Sequence, residues 1–405
     1  MATLKDHMLV EIATTLCERA RPDVRMVFID ALPSIEAFIF SGKGPFYAFR
    51  RVFMDNVIIT FVSSNMVRMA YRDFRWQLTS AFLNTLFTKW ARKVNMEAFE
   101  WLYASPRTGY SKMLAENCDM EELCIANHRF NDWATILKAF PKLITLQISG
   151  LNFPSMLSIA STELTFLKEV TFGGCSTENG FLDAHEALSN HQAKCPNLET
   201  VEYVTLSLKH IKFPETVASI SSIKHLLIDT RVQCCTPLDF SFLTSAQKMF
   251  PNLESVDIDS DVHCRCDVRY QNPRKLEFVK SFYEAFESLS FGFFIKVTYS
   301  ERFSCYQKDL DALRQFFATK GKIDGRPKKF TVETSVPRKR LTYEVDVTIE
   351  PDPADYPPYD SEAEAEEAED RKRLDDHDFY YKYGRMKDDD DEEEHHSYEE
   401  DSDDE

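Results

Sequence analysis

Two groups of metal-binding residue types lie in the second half of the chain, in Cys234-Cys235 and in His263-Cys264-Arg265-Cys266. Cysteine thiolates and histidine imidazoles are the usual ligands of tetrahedral zinc. Cys234 and Cys264 each follow the last apolar residue of a predicted strand motif by six residues, so stacked loops would bring them together. Adjacent cysteines rarely supply two well-placed ligands, and the spacing is not that of a zinc finger. Free thiols and no cofactor are therefore the default expectation. A zinc site is the alternative, with Cys234, Cys235, His263, Cys264 and Cys266 as its candidate ligands.

No residues in the chain form a recognisable catalytic motif. Gly-x-Ser-x-Gly, His-Glu-x-x-His and glycine-rich phosphate loops are all absent. Scattered cysteine and histidine residues give no local pattern for a thiol nucleophile. The sequence therefore predicts a protein that is not an enzyme, and the elements that present its surfaces matter more than any reactive group.

The net charge of −18 is concentrated at the C-terminus. Residues 351–405 contain 25 acidic and 6 basic residues, a net charge of −19, while residues 1–350 contain 41 acidic and 42 basic residues. A segment so acidic and so poor in aliphatic residues is predicted to be a disordered tail. Acidic residues follow Ser361, Ser397 and Ser402 closely, as acidophilic kinases prefer, which makes these serines candidate phosphorylation sites.

The body of the chain is close to neutral, although it contains two short basic runs, Gly325–Lys329 and Arg338–Arg340. Neutrality argues against a nucleic-acid partner, since such binding depends on many phosphate contacts. There is no apolar run of membrane-spanning length and no hydrophobic signal segment, so no membrane partner is expected. The prediction is a cytoplasmic or nuclear protein with reduced cysteines.

A short apolar motif recurs along the middle of the chain. Three copies read apolar-Pro-Lys/Asn-Leu-x-x-apolar-x-apolar, at Phe140–Ile148, Cys195–Tyr203 and Phe250–Ile258. Looser copies give six starts, at 120, 143, 167, 198, 223 and 253. Such a motif indicates a helix end, a proline and a strand whose alternate side chains point inward. Repetition at this pitch predicts an α/β solenoid in which each repeat packs on the next; an ordinary α/β domain is the alternative.

Two of these copies resemble a known repeat family. Leu167–Cys175 resembles the cysteine-containing type of leucine-rich repeat, and Cys195–Glu199 resembles the lead-in to such a repeat. Other copies depart from the pattern, because His128, Leu206, Arg231 and Asp261 stand where the family has Asn or Cys. In that family, repeats of this type often follow an N-terminal F-box.

The first residues of the chain predict an amphipathic helix over 3–16. Leu4, Met8, Ile12 and Leu16 recur at helical spacing, with Leu9 at the edge of the same face. Leu4–Ile12 resembles the opening of an F-box, although Lys5 replaces the usual proline and the late tryptophan is absent. The resemblance implies that these five residues would dock on a cullin–RING adaptor subunit. A plain helical cap on the repeats is the alternative, because a repeat array needs one.

These observations predict a mixed α/β protein, a leucine-rich-repeat-like solenoid with a helical N-terminal module and a disordered acidic tail. The expected parts are an F-box-like module (1–45), a helical linker or cap with a possible first repeat (46–118), the solenoid (119–270), a C-terminal cap (271–350) and the tail (351–405). The resemblance implies a substrate-recognition subunit of a cullin–RING ubiquitin ligase, which binds an adaptor and a protein substrate. The alternative is a non-catalytic scaffold whose acidic tail binds basic proteins such as histones.

Overall fold

The structure is a computed structural model of the chain. It describes residues 5–18, 32–63, 66–71, 74–78, 81–96, 108–117, 119–125, 130, 132–173, 178–205, 208, 211, 213, 218–233, 239–263 and 268–351. The chain divides into two units, Met1–Ile349 and Glu350–Glu405. All of the helices and strands given below belong to the first unit.

Three helices make up the N-terminal module: α1 (Asp6–Glu18), α2 (Leu32–Phe40) and α3 (Lys43–Asn56). Gly42 separates α2 from α3 with a φ of 156°, a conformation that glycine adopts without steric cost. The later helices are α4 (Ala81–Trp90), α5 (Thr108–Ala115), α6 (Trp133–Ile136), α7 (Phe153–Ile159), α8 (Glu178–Asn190), α9 (Phe242–Met249), α10 (Val268–Ser288) and α11 (Gln307–Lys320).

Fourteen strands form one open sheet among the described residues. They are β1 (Val57–Ser63), β2 (Met66–Tyr71), β3 (Phe74–Leu78), β4 (Lys93–Met96), β5 (Glu122–Ile125), β6 (Thr145–Ser149), β7 (Glu169–Gly173), β8 (Thr200–Thr205), β9 (His225–Gln233), β10 (Ser255–His263), β11 (Phe294–Cys305), β12 (Lys322–Gly325), β13 (Lys329–Val336) and β14 (Lys339–Ile349).

The centre of the sheet is parallel and follows the chain order. The strand order is β12-β13-β14-β11-β10-β9-β8-β7-β6-β5-β4-β1-β2-β3. All pairs from β1–β4 through β11–β14 are parallel. Antiparallel strands β2 and β3 end the sheet on one side, and β13 and β12 end it on the other. Each parallel strand therefore lies beside its nearest parallel neighbour in sequence, as stacked strand–helix units require.

The hydrophobic core lies on one face of the sheet, under the helices. One row of in-register side chains crosses the parallel strands, and every member is buried: Ile59, Val94, Leu123, Leu146, Val170, Val201, Leu226, Val256 and Ile295. The alternating positions on the other face are mostly exposed or half-buried, as in β11. The recurring apolar residues of the sequence motif thus supply the core, and the motif's variable residues form the open face.

A hydrogen-bond arrangement repeats where the parallel strands begin. A single carbonyl oxygen in one unit accepts bonds from two successive amides of the next unit. The oxygen of Lys168 accepts from Glu199 (2.9 Å) and Thr200 (3.0 Å), and that of Lys224 accepts from Glu254 (2.7 Å) and Ser255 (3.1 Å). The oxygens of Glu121, Ile144 and Glu199 accept in the same way from 144/145, 168/169 and 224/225. The oxygen of Arg92 likewise accepts from Glu121 and Glu122, so six successive junctions share one backbone geometry.

The asparagine of the proline motif also has a repeated contact. Asn197 Nδ2 donates to the carbonyl oxygen of Thr165 at 2.7 Å, and Asn252 Nδ2 donates to that of Ser221 at 2.9 Å. Each acceptor lies one unit earlier, at the position that the motif gives to proline. The motif residues thus join neighbouring units as well as ending helices.

The structure confirms a mixed α/β fold and strands at all six predicted starts, β5 to β10. The aromatic-rich segment Asp73–Ala104 predicts a helix with a break near Asn95. That expectation is wrong, because β3, α4 and β4 occupy its described part. The many large aromatic residues of this segment favour a helix, but Phe74, Trp76 and Leu78 also alternate at strand spacing. Segment 46–118, expected to be mainly helical, therefore also contains β1 to β4.

Candidate protein-interaction surfaces

Helix α1 presents apolar residues on two sides. Leu9, with Ala13 and Cys17 at four-residue spacing, is buried against the rest of the module. Met8 and Ile12 point outward, with 42 % and 37 % of their surface exposed. Of the other residues expected to bind an adaptor, Leu16 is half-buried against the core, and Leu4 lies outside the described residues.

The buried side of α1 packs closely on the start of α3. A methyl group added at Gly44 would come within 3.0 Å of Leu9 Cδ1, so the glycine permits the approach. Burial raises the pKa of the Cys17 thiol to about 12, which keeps it protonated and unreactive. Leu9 and Cys17 therefore hold the helix in place, and Met8 and Ile12 remain exposed.

Each of the next three helices, α2, α3 and α4, also carries an exposed aromatic residue. Phe40 of α2 and Phe82 of α4 are both exposed, and their ring centroids lie 5.6 Å apart. Tyr47 of α3 is also exposed. Single exposed apolar residues are ordinary, whereas several on adjoining elements indicate an interaction site. We call Met8, Ile12, Phe40, Tyr47 and Phe82 the N-terminal apolar set.

The open face of the sheet carries mainly charged and polar side chains. Several cations there have a close partner on the neighbouring strand or strand start, including Lys93 with Glu122 (2.6 Å) and Lys224 with Glu199 (2.9 Å). These pairs are partly exposed, so each contributes little to stability. Their effect is to make much of this face electrically neutral.

The open face of β10 carries three aspartates, and β9 carries one beside them. Asp229 and Asp259 are register partners, and Asp257 and Asp261 lie two residues to either side of Asp259. Burial, and then the carboxylates of Asp229 and Glu344, raise the pKa of Asp259 above its ordinary value. Like charges in direct register oppose folding, so this part of the face is not arranged for stability alone.

Of the candidate zinc site, the structure describes the two strands that lead into it, β9 and β10. Gln233 and His263 are register partners at the ends of β9 and β10, as the stacked-loop argument requires. Cys234, Cys235, Cys264 and Cys266 lie outside the described residues, as do Ser361, Ser397 and Ser402. Among the described residues, no group of three or more His, Cys, Asp and Glu side chains is placed to hold a metal.

Two buried polar pairs were not found from the sequence. His185 of α8 bonds through Nε2 to the hydroxyl of Tyr203 on β8, and its ring stacks on Phe213 with centroids 4.7 Å apart. Lys275 of α10 forms an ion pair with Glu301 of β11. An inward-facing Glu301 is visible in the sequence as a break in the apolar alternation of β11, but its partner lies 26 residues away.

A cavity of about 450 Å³ lies where the β13–β14 turn meets the C-terminal end of α10. Lys339 Nζ, at its edge, donates to the carbonyl oxygens of Phe286 (3.2 Å), Glu287 (2.6 Å) and Leu289 (2.6 Å). A lysine in this position satisfies the free carbonyls of a helix end. The junction therefore has a clear structural role in fixing the C-terminal hairpin.

No protein family matches the chain, and no curated protein sequence is similar enough to match it. None of the described helices has the length and apolar character that a membrane crossing requires.

Proposed function

We propose that the body of the chain is a leucine-rich-repeat-like solenoid. Three features support this: the sequential parallel strands, the buried row that crosses them in register, and the carbonyl geometry that recurs at six junctions. Repetition of one hydrogen-bond arrangement at six successive junctions is typical of stacked repeats rather than of an ordinary α/β domain. The irregular pitch of the sequence motif corresponds to strand–helix connections of unequal length.

We further propose that the protein is a non-catalytic substrate-recognition subunit of a cullin–RING ubiquitin ligase. In this proposal the N-terminal helices bind the adaptor and the repeats bind a protein substrate. The protein would position its target for ubiquitin transfer without performing any chemistry. The cytoplasm or nucleus would be the place of action.

The observation that carries the proposal is the division of α1 into a buried and an exposed apolar side. A helix that only capped the repeats would bury its apolar residues, as Leu9 and Ala13 are buried. Met8 and Ile12 remain exposed instead, and both belong to the stretch that resembles an F-box opening. Exposed apolar residues beside a rigid buried anchor are what a docking helix needs.

The proposal is tested by capture of a cullin adaptor on the purified full chain. Met8→Lys together with Ile12→Lys should abolish capture, because the charges would fall in the interface. The matched control is Leu151→Lys with Ile159→Lys, which changes two equally exposed apolar residues (46 % and 45 %) elsewhere in the body. Capture should survive in the control. Failure of the wild-type protein to bind any cullin adaptor would remove the ligase proposal.

A second candidate is a scaffold that binds basic proteins, including histones. Asp229 and Asp259, which are register partners on β9 and β10, favour this candidate. A cationic partner would relieve the repulsion between their carboxylates. Asp229→Asn with Asp259→Asn should then weaken binding of a histone-tail peptide and leave adaptor capture unchanged. Unchanged peptide affinity in this variant would exclude the open face as the binding surface.

A further inference from the structure

The turn between β12 and β13 is a rigid basic projection near one edge of the sheet. The amide of Arg326 donates to the carbonyl of Lys329 at 2.8 Å, and the amide of Lys329 donates back to Arg326 at 3.2 Å. Gly325 enters the turn with a φ of 115°, which favours glycine. Arg326, Pro327 and Lys328 are all exposed. The charges of this turn are therefore held on a backbone with little freedom to lose on binding.

Arg314 of α11 supports the turn from behind. Its guanidinium carbon lies 4.7 Å from the ring centroid of Phe330, and its Nη1 donates to the carbonyl oxygen of Pro327 at 3.0 Å. The contact ties the turn to a helix of the core. It also places a third positive charge beside Arg326 and Lys328.

The charges at this turn are poorly compensated by neighbouring carboxylates. Neither Arg326 nor Lys328 has an ion-pair partner among the residues that the structure describes. Nearby, Lys329 and Arg302 share the single carboxylate of Asp346, at 3.5 Å and 4.0 Å. On the open face, by contrast, Lys93 has a carboxylate of its own, that of Glu122 at 2.6 Å. The turn therefore carries more positive charge than the neighbouring carboxylates balance.

We propose that this basic turn, formed by Arg326, Lys328 and Lys329 and supported by Arg314, binds an acidic segment of a partner protein. Guanidinium and ammonium groups held on a rigid backbone suit carboxylates along an extended peptide. A nucleic acid is the less suitable partner, because Asp324 and Asp346 flank the turn and interrupt any longer positive strip. The proposal does not depend on the ubiquitin-ligase assignment.

The test is the affinity of the full chain for a fluorescein-labelled oligo-glutamate peptide, measured by fluorescence anisotropy at low and at physiological salt. The net charge of −18 opposes unspecific binding of any polyanion, so binding would report a local site. Arg326→Gln with Lys328→Gln should weaken binding about tenfold, because two exposed charge contacts are lost. Physiological salt should also weaken binding of the peptide to the wild-type protein, because salt screens exposed charges.

The matched control is Lys93→Gln with Lys224→Gln. It changes the net charge by the same amount and removes cations that are already paired with Glu122 and Glu199. Its affinity should stay within about twofold of the wild type. Equal weakening in both variants, or a wild type that binds no peptide, would overturn the proposal. Tighter binding of labelled oligothymidine, lost in Arg326→Gln with Lys328→Gln, would overturn the assignment of a protein partner.

Discussion

Lys275 of α10 and Glu301 of β11 form an ion pair inside the hydrophobic core, where their side chains are 8 % and 1 % exposed. Tyr343 of β14 donates its hydroxyl to the second oxygen of the same carboxylate at 2.8 Å. The register partners of Glu301 on either side are Val262 and Val345. A charged group therefore stands in an otherwise apolar row and links three elements of the C-terminal part of the body.

Removal of Lys275 alone should strongly destabilise the protein. Lys275→Met leaves the Glu301 carboxylate buried without its cation, which costs about 3–5 kcal/mol. The loss should appear as a lower midpoint in urea or guanidinium denaturation, with an unchanged slope.

The double variant Lys275→Met with Glu301→Val tests whether the ion pair itself stabilises the fold or whether only an unpaired buried charge destabilises it. The double variant still buries the Tyr343 hydroxyl, which has lost its acceptor, so it should recover only part of the loss. With Tyr343→Phe added, all three polar groups are replaced by apolar ones, and stability should return to within about 1 kcal/mol of the wild type, or exceed it. A double variant as unstable as Lys275→Met would contradict this account and show that the pair itself stabilises the fold.

Leu9 and Met8, adjacent on α1, should respond very differently to truncation. Leu9→Ala removes a buried side chain that packs at Gly44, and it should cost about 2–5 kcal/mol. Met8→Ala changes an exposed residue and should alter the free energy of unfolding by less than about 0.5 kcal/mol. Thermal denaturation followed by circular dichroism compares them directly. Equal losses would mean that Met8 is covered in solution.

The zinc content of the purified protein tests whether the cysteines that follow β9 and β10 bind a metal ion. The register of β9 and β10 aligns the residues just before Cys234 and Cys264, which is the condition for converging ligands. If four ligands converge, metal analysis of protein purified without added zinc should find about one zinc ion per chain. Serine at both Cys234 and Cys264 should remove it. A metal-free chain whose melting is unaffected by chelator would leave free thiols as the state of these loops.

Sequence reasoning located the strands well because the repeat motif is local. Each copy combines a proline, a leucine and alternating apolar residues within nine positions, so β5 to β10 could be placed without any tertiary information. It failed between Asp73 and Met96, where large aromatic residues occur at both helical and strand spacing. In such a segment the neighbouring strand decides the outcome, and here β2 pairs with β3 and β1 pairs with β4.

The interaction surfaces were only partly predictable. The helical spacing of Met8 and Ile12 was visible in the sequence, but Leu9 could be assigned to the buried side only once α3 was placed against it. The basic character of residues 325–329 was also visible, whereas the number of carboxylates close to them depends on which strands are neighbours. Pairing across the sheet, rather than composition, distinguishes a charged surface from a neutralised one.

Asp259 should limit stability at neutral pH. Its folded-state pKa lies above 3.8 because of burial and then the charges of Asp229 and Glu344, so the folded protein holds this proton more tightly than the unfolded chain. The resulting penalty is present above the folded-state pKa and disappears as the pH falls below 3.8. Asp259→Asn should therefore stabilise the protein at pH 7, by up to about 0.5 kcal/mol after solvent screening, with no gain in acid. Denaturant titrations of Asp259→Asn and the wild type at neutral and acidic pH measure the difference, and a gain that persists in acid would show that charge is not its cause.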